Sequence, residues 1–241
     1  MKKSVWKQIK IFWIIAGVLS LGWIVYSMQA KNVAPKLLQN RENVMVLDTT
    51  SYISFTPTEN YKNILLFYPG AMVDPIAYVP LCRALSEKGI KTIVIKMPFR
   101  LASLGYKKPL ELGLLNERNK TYILAGHSQG AKMAAEFVRE NPGKINKLVL
   151  MASTHPKNYV LNDSNISVLK IFGEHDGIAK QEDILKNRSN LPLNTKYILI
   201  RGGNHSQFGC YGFQLGDRFA SISGNKQQKI IFAIVLNFIQ N

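Results

Sequence analysis

Cysteine is scarce: Cys82 and Cys210 are the only two in 241 residues. They lie far apart and lack metal-ligand spacing, which excludes a zinc site built on CxxC pairs. Acidic residues are scarce as well, 15 Asp+Glu against 31 Lys+Arg, leaving a net charge of +16. Such an excess points toward nucleic acid, an anionic membrane surface or the cell envelope. Its distribution narrows the choice. Lys2, Lys3, Lys7, Lys10, Lys31 and Lys36 lie in the first forty residues with no acid among them, and the other basic residues are spread singly. There is no basic run interleaved with aromatics and no zinc-finger or RNA-binding signature, so nucleic acid is not an expected partner. Internal repeats and low-complexity tracts are lacking too. What the chain does have is apolar content: 46% hydrophobic residues against 19% charged, enough for one sizeable core and too much for general disorder.

One long hydrophobic run is present. Between Lys10 and Lys31 lie uncharged residues 11–30, IFWIIAGVLSLGWIVYSMQA, which as a helix span about 30 Å, the hydrocarbon thickness of a bilayer. A cleaved secretory signal wants an apolar stretch of about 7 to 15 residues and small residues before the cut. Here the stretch is longer, and the bulky Met28 stands two residues before Ala30, the candidate cut. An uncleaved transmembrane anchor over 11–30 is therefore expected, preceded by a cytoplasmic basic tail over 1–10. Trp13, Trp23 and Tyr26 suit interfacial depth, and the lysines before the helix favour leaving the N-terminus inside. The globular part is then extracytoplasmic. Residues 31–42, polar and containing Pro35, read as a linker to a domain over 43–241.

Within that domain strands and helices alternate. β-Branched or aromatic runs bounded by Gly, Pro, Asn or Asp predict eight strands, at Val44–Leu47, Tyr52–Phe55, Ile64–Tyr68, Thr92–Ile95, Tyr122–Ala125, Leu148–Met151, Val168–Phe172 and Tyr197–Ile200. Helices are predicted over Ile76–Lys88, Gln129–Glu140, Gln181–Asn187 and Gln227–Ile239. Continuous apolar runs alternating with helices indicate an α/β fold: a mostly parallel eight-stranded sheet with helices on both faces. The stretch between Met151 and Val168 leaves room for at most a small lid.

Gly126-His127-Ser128-Gln129-Gly130 follows the strand TYILA and precedes the helix-like AKMAAEFV. This is a GxSxG pattern in strand–turn–helix context. A serine on such a sharp turn exposes its hydroxyl above the sheet, the flanking glycines remove Cβ atoms that would collide, and the Gln129 amide can face a developing oxyanion. A serine hydroxyl needs a base, and the base needs a third group to fix its tautomer. GEHDG after one later strand supplies Asp176, with Glu174 as a weaker rival, and GGNHSQFG after the next supplies His205. The order Ser128, Asp176, His205 differs from those of chymotrypsin and subtilisin. All three fall at the carboxyl ends of strands, the ligand-binding edge of open α/β sheets. His127 reads as the variable position of the turn, His155 as a loop residue able to line the pocket, and Arg100 as either a solvated loop charge or a contact for an anionic substrate.

With YPGAMVDP after an early strand, GHSQG, GEHDG and GGNHSQFG in order, the chain from about Lys62 to Asn241 resembles the α/β-hydrolase fold superfamily, of the small dienelactone-hydrolase-like and bacterial-esterase type. The resemblance implies that Ser128 attacks an acyl carbon, His205 relays the proton and Asp176 orients His205. It also implies an oxyanion hole formed by the Gln129 amide and that of Ala71 or Met72. The chain departs from lipases, which carry an HGGG-type loop, and from dienelactone hydrolases proper, which use cysteine where Ser128 stands.

The sequence therefore predicts a membrane-anchored serine hydrolase of carboxylic esters, working through an acyl-enzyme without metal or organic cofactor. Its partners would be a small-molecule or lipid-like ester and the membrane. The alternatives are a non-catalytic envelope binding or scaffold protein on the same fold, or an acyltransferase with the same triad. An extracytoplasmic location also permits a disulfide between Cys82 and Cys210, which would tether the histidine loop to the oxyanion side.

Overall fold

The structure, a computed structural model, describes residues 2–161 and 165–241. Met1, the side chains of Lys2, Lys3 and Ser4, and residues 162–164, within the stretch that leaves room for a small lid, lie outside it. All eight expected strands form: β1 Val44–Asp48, β2 Tyr52–Pro57, β3 Asn63–Tyr68, β4 Lys91–Ile95, β5 Thr121–His127, β6 Lys147–Met151, β7 Ser167–Gly173 and β8 Lys196–Ile200. They make one sheet in the order β1-β2-β4-β3-β5-β6-β7-β8. β2 pairs antiparallel with β1 and β4, and every later pairing is parallel.

The apolar runs are continuous because both faces are covered. Along β3, Leu65 and Phe67 enter one core cluster and Ile64 and Leu66 the other, as the two-residue alternation of a strand requires. Helices α2 (Val79–Ser86) and α6 (Gly224–Gln240) supply the first cluster, and α4 (Gln129–Glu140) supplies the second. Full burial of each such aliphatic or aromatic side chain contributes about 1.5–3 kcal/mol.

Two elements differ from the sequence reading in extent. The helix expected over Ile76–Lys88 divides into a 3-10 turn, Pro75–Tyr78, and α2. Pro80 has no N–H to return to Ile76, so one unbroken helix would lose a bond there. Asp74 instead caps the turn, its carboxylate accepting from the Ile76 amide at 3.0 Å. The last helix starts three residues earlier than expected, at Gly224, where the Ser223 hydroxyl accepts from the Lys226 amide. Two short helices, α3 (Lys108–Glu111) and α5 (Gln181–Lys186), complete the set.

The N-terminal helix α1 runs Lys2–Ser27, and its stretch Val5–Ser27 is long and apolar enough to cross a membrane. It stops three residues short of the expected Ala30, because tertiary contacts take over. The Ser27 carbonyl accepts from the Gly212 amide (2.7 Å), the Met28 carbonyl accepts from Asp74 (2.9 Å), and Lys31 donates to the Cys210 carbonyl (2.7 Å). Met28 itself is buried in the main core, only 6% exposed. Residues 31–42 are docked in the same way. Pro35–Leu38 forms a 3-10 turn whose Leu37 and Leu38 pack on the core, and Arg83 donates to the Gln39 carbonyl at 2.8 Å.

Candidate active site

β3 leads to β4 on one side of the sheet, while β5 leads to β6 on the other. The chain therefore diverges between β3 and β5, and a crevice opens at their carboxyl ends. Gly70–Met72 leaves β3 on one side of it and Ser128 leaves β5 on the other. Ser128 has φ 53° and ψ −117°, a strained conformation for a residue with a Cβ. The turn closes only around glycine: a Cβ on Gly130 would lie 2.1 Å from the Tyr68 carbonyl oxygen, and one on Gly126 2.5 Å from the Gly130 carbonyl carbon.

Asp176 and His205 come together from the loops after β7 and β8. The Asp176 Oδ2 lies 2.9 Å from His205 Nδ1, and both side chains are fully buried. The other carboxylate oxygen accepts from the Ile178 and Ala179 amides at 2.8 and 2.6 Å, which fixes its direction. Glu174 is turned elsewhere. Its carboxylate accepts from the Gly202 amide at 2.8 Å and ties the β7 and β8 loops together.

His205 and Ser128 line one cavity of about 240 Å³, with Lys132, Ser153 and His155 around it. The Ser128 hydroxyl is not hydrogen-bonded to the imidazole, whose Nε2 is buried and without a partner among the described residues. Burial, reinforced by Lys132, Lys157 and Lys170, pushes His155 down to about 4, so it lines the cavity as a neutral ring. A larger cleft of about 750 Å³ beside Glu174, Lys180 and Arg218 includes neither Ser128 nor His205.

Of the two candidate oxyanion donors in the first loop, the Met72 amide is already spent on the Arg100 carbonyl at 2.9 Å. The Ala71 amide has no partner among the described residues, and Gln129 is the first residue of α4, where an amide has no carbonyl one turn back. Arg100 is a brace: its guanidinium donates to Gln29 Oε1 (3.1 Å) and to Asp74 (3.2 Å).

The bridge expected between Cys82 and Cys210 is not formed, and both are free thiols. The Cys210 amide is held by the Ala77 carbonyl. The Cys82 side chain is wholly buried in the core.

Three groups escaped the sequence reading. Tyr78 accepts from the Gly70 amide (3.0 Å) through its hydroxyl and so donates to His127 Nδ1 (2.8 Å). Burial, and then proximity to His205, hold His127 well below the usual histidine range. The Asp217 carboxylate collects amides of Gly177, His205 and Ser206 and the Ser206 hydroxyl, fastening the histidine loop to the acid loop. Arg218 donates to the Glu174 and Asp176 carbonyls. The sequence signal for Asp217 and Arg218 is weak, because a single charge in a glycine-containing loop reads as solvated.

A model of the alpha/beta hydrolase family matches residues 64–229. The chain belongs to this family. None of the curated proteins matches it. Among solved structures, an alpha-beta serine hydrolase homologue from Coxiella burnetii superposes with a TM-score of 0.57 at 14% identity, covering 83% of this chain and 98% of that one. The carboxylesterase CesB of Bacillus subtilis gives 0.56 at 14%, covering 84% and 93%. Est1E from Butyrivibrio proteoclasticus gives 0.56 at 14%, covering 83% and 100%. At such identities the likeness is one of fold, and it extends over nearly the whole length of those proteins.

Proposed function

We propose that this hydrolase is a membrane-anchored serine esterase with its domain outside the cytoplasm and Ser128, His205 and Asp176 as its triad. The observation that carries the reading is the buried 2.9 Å contact between His205 Nδ1 and Asp176, set beside the cavity that also holds the strained Ser128. In this reading the Ser128 oxygen bonds to the acyl carbon and its proton passes to His205 Nε2, which delivers it to the departing alcohol. Water then releases the acid by the same route in reverse. The Ala71 and Gln129 amides stabilise the oxyanion.

The docking of residues 27–31 supports retention of the anchor. Cleavage after Ala30 would remove Met28 from the core together with the carbonyls of Ser27 and Met28 that cap neighbouring loops. The test is labelling of the full chain in detergent by a fluorophosphonate, alongside turnover of p-nitrophenyl esters. Ser128→Ala is expected to abolish labelling and to lower turnover by about 10⁴-fold or more. Equal turnover by the two proteins refutes the reading.

A further inference from the structure

The end of α1 is joined to the loops that build the candidate site, and among the described residues its hydrogen bonds to the domain go to no other edge. Ser27 and Lys31 bond to Gly212 and Cys210, Ala30 bridges Tyr211, Met28 bonds to Asp74, and Gln29 bonds to Arg100. Every one of these partners lies in a loop beyond the carboxyl end of β3, β4 or β8. No free segment separates helix from domain, because Ser27 is both the last helical residue and the first to be bonded. Trp23 and Tyr26, the interfacial residues at this end of the helix, stand within one turn of that junction, and the Lys31 ammonium lies 4.1 Å from the centre of the Tyr26 ring. An α1 that spans a bilayer therefore brings the carboxyl edge of the sheet against the membrane surface.

That edge exposes large apolar side chains. Phe99 is 84% exposed, and Met72, Leu215 and Phe219 are exposed on neighbouring loops of the same edge. Phe99 and Arg100 both have positive φ, 49° and 57°, a strained pair for non-glycine residues. The arrangement turns the Phe99 ring to solvent while the Arg100 carbonyl and guanidinium hold Met72, Asp74 and Gln29. An apolar ring kept outward at such a cost, next to the exit of a membrane helix and on the edge that carries Lys31, has the composition of a surface seated at a lipid headgroup layer.

From this we infer that the active-site edge rests on the bilayer through Phe99, Met72, Leu215 and Phe219, and that the substrate is an amphiphilic ester drawn from that leaflet. The inference rests on the membrane-anchored reading of α1. It makes the crevice between β3 and β5 an opening toward lipid.

The test reconstitutes the full chain in vesicles of phosphatidylcholine and phosphatidylglycerol. An environment-sensitive fluorophore is placed at Phe99→Cys or Leu215→Cys in a Cys210→Ser background, Cys82 being wholly buried. The control is Leu193→Cys, fully exposed just before β8 at the opposite edge. Lipids spin-labelled near the headgroup should quench Phe99→Cys and Leu215→Cys and leave Leu193→Cys unaffected. Phe99→Asp should also lower turnover of a vesicle-resident long-chain ester, relative to a soluble short one, by about tenfold. Equal quenching at both edges, quenching confined to Leu193→Cys, or an apolar shift at Phe99→Cys without quenching by lipid overturns the inference, the last by assigning the patch to protein contact. Failure of the chain to float with vesicles overturns it together with the anchor. An enzyme inactive on both esters refutes the esterase reading alone, since quenching needs no turnover.

Discussion

At Ser128 the backbone holds φ 53° because the strand and helix that flank it leave no other path, and that path exists only where Gly126 and Gly130 lack side chains. Gly130→Ala would press a methyl group onto the Tyr68 and Pro69 carbonyls. It is expected to cost about 3 kcal/mol, read as a lowered melting temperature. The two acids of GEHDG separate just as sharply. Asp176→Asn removes the charge beside His205 Nδ1 and should lower kcat/KM by about 10⁴-fold. Glu174→Gln keeps an oxygen for the Gly202 amide and should stay within about tenfold. The opposite ranking in ester kinetics would move the acid's role to Glu174. Asp217 touches no reacting atom and acts by positioning. Asp217→Ala frees the His205 and Ser206 amides it holds, and the expected loss is about 10²-fold in kcat with a smaller change in KM.

Among the elements, β7 carries an unusual residue for an interior strand, Lys170, which is 1% exposed and donates to the His155 carbonyl at 2.6 Å. Burial pushes its ammonium down to about 7. The unfolded chain therefore binds the proton more tightly than the folded one between about pH 7 and the ordinary lysine range, and stability rises with pH across that window. Lys170→Met should accordingly stabilise the protein most at or below pH 7, with the advantage shrinking toward pH 10 in denaturant titrations at the two pH values. A constant difference would show that the ammonium is not desolvated. The end of α1 gives a second test at this scale. Met28→Ala should cost about 2–4 kcal/mol of stability in detergent, as for a core residue and not for a link between domains.

For the whole molecule, the proposed orientation has a direct readout. Protease added to spheroplasts is expected to digest the domain and leave a short fragment containing α1, and the mature chain should begin at its own N-terminus. A protected domain would reverse the orientation, and a mature N-terminus at Lys31 would establish cleavage. Charge bears on this placement from both ends: Lys7 and Lys10 ahead of the apolar core of α1 favour an inside N-terminus, while Lys31 and Arg100 at its other end, next to the domain, weaken that bias.

The sequence by itself determined the strands, the Gly126–Gly130 turn and the order of the three candidate residues. Each of these follows from local rules: β-branched runs buried on both faces, glycines where a Cβ cannot fit, and chemistry placed after strand ends. It did not determine contacts between segments far apart in the chain. That α1 stops at Ser27, that 31–42 is part of the domain surface, that the Met72 amide is spent on Arg100, and that Cys82 and Cys210 stay unbonded all depend on which loops meet at the carboxyl edge. So do the roles of Tyr78, Asp217 and Arg218, single polar residues whose partners are set by packing. A periodic pattern is visible along one segment because every residue in it obeys the same repeat. A hydrogen bond between loops more than a hundred residues apart has no such repeat, and only the folded chain decides it.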